Sequence, residues 1–90
     1  MVYINKQNTK NQILQYLERS KGMVNVNLLK SRMVYCDKKQ ADLAKELNLS
    51  QSTTNQKINN LRKITIEEAF KIKKFLNIPD DEIEAYFFAK

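Results

Sequence analysis

Gln40-Ala41-Asp42-Leu43-Ala44-Lys45-Glu46-Leu47-Asn48-Leu49-Ser50-Gln51-Ser52-Thr53-Thr54-Asn55-Gln56-Lys57-Ile58-Asn59-Asn60 reads as two short helices joined by a tight turn. In the first, Leu43, Ala44 and Leu47 share one stripe at helical spacing, while Gln40, Asp42, Lys45 and Glu46 stay mostly outside. Ser50 is a good N-cap for the second helix, expected to run to about Asn60, with Thr54 and Ile58 facing inward and Leu61 following them. Ala44 is small where the two helices approach most closely. Asn48 tolerates the left-handed backbone that the turn requires, and Leu49 plugs the angle between the helices. The layout is that of a helix-turn-helix, a geometry that holds the N-terminal residues of its second helix away from the body.

Working outward, Gly and Pro occur once each, too few turn formers for a chain of hairpins, and helix formers dominate. All-α is the expected fold class. A helix is expected over about Thr9 to Ser20, with Ile13, Leu14 and Leu17 on one face and Gly22 as its stop. Ahead of it, residues 2–4 are apolar but short. A second helix is expected after Asn27, carrying Leu28, Leu29, Met33 and Val34 inward, with Lys30 and Arg32 on its outer face. Thr65 caps a helix over Ile66 to Leu76, with Ile66, Ala69, Phe70, Phe75 and Leu76 available for packing and Lys71, Lys73 and Lys74 solvated. Pro79, followed by Asp80, Asp81 and Glu82, starts a last helix that ends on Tyr86 and Phe87. Tyr86, Phe87 and Phe88 cannot all face one core from a single helix, so at least one is expected to be open to a partner.

With 90 residues the chain is one small unit, too short to build a core and also enclose a deep, dry active site. It has no His, so the usual general base, a Ser-His-Asp triad and a Cys2His2 zinc site are all unavailable. No enzyme, cofactor or metal is expected. Cys36, the single cysteine, reads as a passive residue at a helix end. The longest uncharged apolar run, Ala85 to Ala89, is far below the roughly 20 residues needed to cross a bilayer. The first 20 residues lack the pattern of a signal peptide. These features place the protein in the cytoplasm, with no membrane partner.

Charge is unevenly spread. Residues 1–63 hold 12 basic and four acidic side chains, whereas residues 64–90 hold four basic and six acidic ones. Between Asn48 and Lys63 there is no carboxylate, only Lys57, Arg62 and Lys63 among Asn, Gln, Ser and Thr. Such a surface suits a polyanion with readable edges. In a major groove, Gln, Asn, Ser and Thr can pair with those edges.

Three further runs complete a pattern with the opening stretch: Leu29-Lys30-Ser31-Arg32-Met33-Val34, the Thr65 to Ile78 segment, and the closing Asp81-Glu82-Ile83 with Tyr86-Phe87-Phe88. Together they resemble the lambda-repressor-like, Cro/CI-type (XRE) helix-turn-helix regulators, especially small versions from phages of Gram-positive bacteria. The resemblance implies a compact bundle of five helices over residues 23–90, the DNA-binding domain. Residues 1–22, which it does not cover, form an N-terminal extension with one additional helix.

By the same resemblance, Gln51, Ser52, Asn55 and Gln56 would read bases, and Ser50 and Thr53 fit either role. Lys39, Gln40, Lys57, Asn59, Asn60, Arg62 and Lys63 would meet the phosphate backbone, with Lys38 adding to them. Asn48, Asn60 and Asn77 stand where the family usually has glycine; Asn is the commonest substitute at left-handed positions. The implied protein is a sequence-specific, double-stranded-DNA-binding transcriptional regulator. It would be a Cro-like repressor of a phage or mobile element, working as a homodimer on an operator in the bacterial nucleoid. The alternative is a protein-interaction module on the same fold, an antirepressor or host-takeover factor that binds a protein through the C-terminal aromatics or the first helix.

Overall fold

The computed structural model describes residues 6–88, with side chains from Thr9 onward; the apolar residues 2–4 lie outside that range. Six α-helices follow in order: α1 (Lys6–Ser20), α2 (Val26–Tyr35), α3 (Gln40–Leu47), α4 (Gln51–Ile58), α5 (Ile66–Phe75) and α6 (Ile83–Phe87), the last preceded by a 3-10 turn (Asp80–Glu82). No strand occurs among the described residues, in agreement with the all-α expectation. None of the described helices is long and apolar enough to cross a membrane.

The helix limits follow from local hydrogen bonding. The α2 helix opens at Val26, ahead of the expected start after Asn27, because the Asn25 side chain accepts the N–H of Leu28 at 3.1 Å and acts as the N-cap. Ser50 caps α4 by accepting from Thr53 N at 3.0 Å. Thr65 and Glu68 cap α5 reciprocally. The α4 helix ends at Ile58 rather than near Asn60, because Asn60 turns left-handed (φ 61°). Asn48 (φ 58°) and Asn77 (φ 52°) adopt the same conformation, as expected of the three turn asparagines. The expected helix start at Pro79 is instead the short 3-10 turn before α6.

One core joins all six helices. Ile13 and Leu17 of α1, Leu29 and Met33 of α2, Leu43 and Leu47 of α3, Ile58 of α4, Ala69 and Ile72 of α5, and Ile83, Tyr86 and Phe87 of α6 are all buried in it. Val34, expected inside, is 80% exposed. The buried stripe of α2 runs through Leu29 and Met33, and the next residue lies about 100° further round the helix, over solvent. Leu61, also expected inside, is 72% exposed, since α4 ends at Ile58 and the left-handed Asn60 swings the chain outward. Leu14 is likewise half out of the α1 stripe. The expected packing set of α5 omitted Ile72, which is fully buried. Phe70 and Phe75 sit at the edge of the core, where Lys10 and Lys74 lie over the ring of Phe70 and Lys38 over that of Phe75.

Two positions carry stability predictions. Thr54 is fully buried and its hydroxyl has no hydrogen-bond partner, a condition that costs about 1–3 kcal/mol. Thr54→Val keeps the shape and removes the orphan hydroxyl, so urea unfolding should show a gain of about 1 kcal/mol. Gly22 ends α1 at φ +80°, and a Cβ there would lie 2.9 Å from the Lys63 Cβ. Its carbonyl accepts the N–H of Ile64 at 3.0 Å. Gly22→Ala should therefore lose about 1–2 kcal/mol from backbone strain, seen as a lower urea midpoint at unchanged slope.

Candidate nucleic-acid interface

The α3 and α4 helices pack through Ala44, Leu47, Thr54 and Ile58, all buried, with Leu49 partly buried in the angle between them. This packing leaves Gln51, Ser52 and Asn55 exposed on the outer face of α4. Gln56 is half-buried at its far end. The face is braced from α3. The Gln40 amide donates to the Gln51 carbonyl at 3.1 Å, and its oxygen accepts from Asn55 Nδ2 at 3.1 Å. Each of the two side-chain amides has two N–H groups, so Gln40 and Asn55 each retain one donor for an outside acceptor, and Asn55 keeps its oxygen. Ser50 and Thr53 are tied to each other: the Ser50 hydroxyl lies 3.0 Å from the Thr53 hydroxyl and caps α4 as well.

The expected backbone-contacting residues divide by what holds them. Lys39, Arg62 and Lys63 are exposed, and none of the three has an ion pair among the described residues. Lys57 differs: its ammonium lies 2.7 and 2.9 Å from the two carboxylate oxygens of Glu68, and the two side chains are only 12% and 15% exposed. Its charge is answered within the fold. Burial pushes the Glu68 carboxyl up, but hydrogen bonds from Lys57 and from the Thr65 backbone outweigh this and leave it below its ordinary value.

Asn59 caps the end of α4, donating to the Asn55 carbonyl at 2.8 Å and accepting from Lys30 Nζ at 2.7 Å. Lys30 on α2 thereby joins the basic strip beside α4. Asn60 is occupied differently, with both side-chain groups on the backbone of Val24, at 2.8 Å to its N–H and 2.9 Å to its carbonyl.

Several of these roles had no sequence signal. The pairing of Lys57 with Glu68 spans 11 residues, and only the absence of any other carboxylate near Lys57 hinted at a distant partner. Arg32, expected on the outer face of α2, instead donates to the carbonyls of Leu76 and Asn77 and so covers the end of α5. Cys36 ends α2, as expected, with its thiol 3.2 Å from the Leu76 carbonyl. Tyr86 and Phe87 are buried, and Phe88 is half-buried with its ring 6.2 Å from that of Tyr16. Two of the three C-terminal aromatics are therefore in the chain's own core.

Two short helices joined by a tight turn, with a polar, carboxylate-free second helix between free cations, define a DNA-binding helix-turn-helix domain. The helix-turn-helix family model matches residues 29–83, and the chain belongs to that family, in its XRE type with Cro/CI-like regulators. No curated protein and no solved structure matches it. The match begins inside α2, so α1 lies outside it. Domains of this family are regulatory and generally without catalytic activity.

Proposed function

We propose that this chain is a sequence-specific transcriptional repressor of the Cro type, acting as a homodimer on a nearly palindromic double-stranded operator, in keeping with its resemblance to phage and mobile-element regulators. The observation that carries the reading is the braced face of α4, where Gln51, Ser52 and Asn55 are exposed and Gln40 orients the Asn55 amide. Gln51 and Asn55 are suited to pair with adenine edges in a major groove, Ser52 to either partner of a base pair, and Gln56 to a base further along. Lys39, the spare donor of Gln40, Arg62 and Lys63 would hold phosphates on either side, with Lys30 reinforcing the Asn59 end. Two subunits would read half-sites about one helical turn, roughly 34–36 Å, apart and block a promoter by occupying it.

Selection from a random duplex pool, followed by fluorescence anisotropy at two salt concentrations, tests this. A palindromic site should be enriched, and Gln51→Ala with Gln56→Ala should each weaken it by about 1–3 kcal/mol while leaving random DNA nearly unaffected. Equal losses on operator and random DNA would remove the base-reading assignment. Absence of any enriched site would favour the protein-interaction module, an antirepressor or host-takeover factor on the same fold.

A further inference from the structure

Three separate segments meet beside the recognition helix: the linker after α1, the loop after α4 and the end of α6. Asn60 grips both polar groups of the Val24 backbone, the N–H of Asn25 donates to the Tyr86 carbonyl at 2.8 Å, and the Ser20 hydroxyl lies 3.2 Å from the Phe87 carbonyl. A cleft of about 760 Å³ opens on this junction. Its lining includes apolar Val26, Ala85 and Phe88, the carboxylates of Asp81 and Glu84, and Asn60.

Among the described residues no lysine or arginine lines the cleft, although the chain carries a net charge of +6. Among the described residues neither Asp81 nor Glu84 has an ion-pair partner. Two carboxylates without an ion-pair partner favour a cation over an anion at this surface. The volume falls in the range of clefts that hold a short peptide or small molecule, and the lining combines apolar side chains with two carboxylates.

We propose that this cleft docks a cationic segment of a protein partner, one that places apolar side chains against Val26, Ala85 and Phe88 and Lys or Arg against Asp81 and Glu84. Charge complementarity selects the occupant. Because Asn60 both lines the cleft and lies in the loop after α4, the occupant touches the loop that carries Arg62 and Lys63. Partner and DNA are thus coupled through one residue, and that coupling, though not the docking itself, rests on the proposed DNA-binding function.

The test is a two-dimensional NMR titration of the full chain, without DNA, using a blocked hexapeptide Lys-Leu-Leu-Lys-Phe-Lys and a control with every Lys replaced by Glu. The cationic peptide should shift the amides of Val26, Ala85 and Phe88 and the side-chain amide of Asn60. The anionic control should leave them in place. Asp81→Asn with Glu84→Gln, both at exposed positions, should raise the Kd about tenfold. No shift, equal shifts with both peptides, shifts centred elsewhere, or an unchanged Kd in the double variant would each overturn the proposal. So would movement of the same amides on raising the protein concentration alone, which would make a second copy the occupant. Since no DNA is present, failure here leaves the operator selection untouched, and failure of that selection leaves this result standing.

Discussion

Ile13→Ala should destabilise the protein by about 2–5 kcal/mol, although Ile13 belongs to a helix that the family match does not reach. The side chain is fully buried and lies in the same core as Leu29, Ile72 and Phe87. Removing it deletes apolar area and leaves a cavity that helices on both sides can close only in part. The α1 helix is also tied at its end, through the Ser20 hydroxyl to the Phe87 carbonyl and through Gly22 to Ile64. A loss of that size is a large fraction of the 5–15 kcal/mol typical of a small domain. Urea unfolding followed by far-ultraviolet circular dichroism should show one transition at a lower midpoint. If α1 were a detachable addition, Ile13→Ala would change the midpoint little, and truncation before Met23 would leave a folded domain.

What the sequence made legible was local. The α3 limits, the Ser50 and Thr65 caps, and the left-handed Asn48 all depend on residues within four positions of each other, so spacing alone reveals them, whereas Asn60 and Asn77 were marked as turn positions by the family resemblance. The exposure of Gln51, Ser52 and Asn55 follows once Thr54 and Ile58 are assigned inward. Failures came where apolar residues stand side by side. Val34 next to Met33 and Leu14 next to Ile13 share composition but not direction, and only packing decides which of two neighbours is inside. The uses of Arg32, Lys57 and Asn60 were hidden for another reason. Each partner lies 11 to 45 residues away in sequence, and a long polar side chain looks the same in sequence whether it faces solvent or a distant backbone carbonyl. A charge strip therefore overstates the cations available to DNA, by counting Lys57 with Arg62 and Lys63.

That difference has measurable consequences at the Lys57–Glu68 pair. Lys57→Met alone leaves the Glu68 carboxylate largely buried with only Thr65 beside it and should cost about 2–4 kcal/mol, somewhat below the range for a fully buried pair. Adding Glu68→Gln removes the stranded charge while keeping an oxygen for the Thr65 N–H, so the double variant should recover most of the loss. The pH dependence has a definite sign. Folding lowers the affinity of Glu68 for its proton, so the pair stabilises the native state above the ordinary carboxylate range, and that contribution disappears as pH falls through the lowered value. Comparing wild type with the double variant in urea between neutral and acid pH should show the gap closing toward acid. On DNA the two lysines should separate. Lys63→Ala removes a free cation and should reduce the salt slope by about 1, whereas the double variant, which deletes an internally neutralised pair, should keep the wild-type slope. An equal drop in both would return Lys57 to the phosphate backbone, and would mean that the ammonium leaves Glu68 when DNA binds.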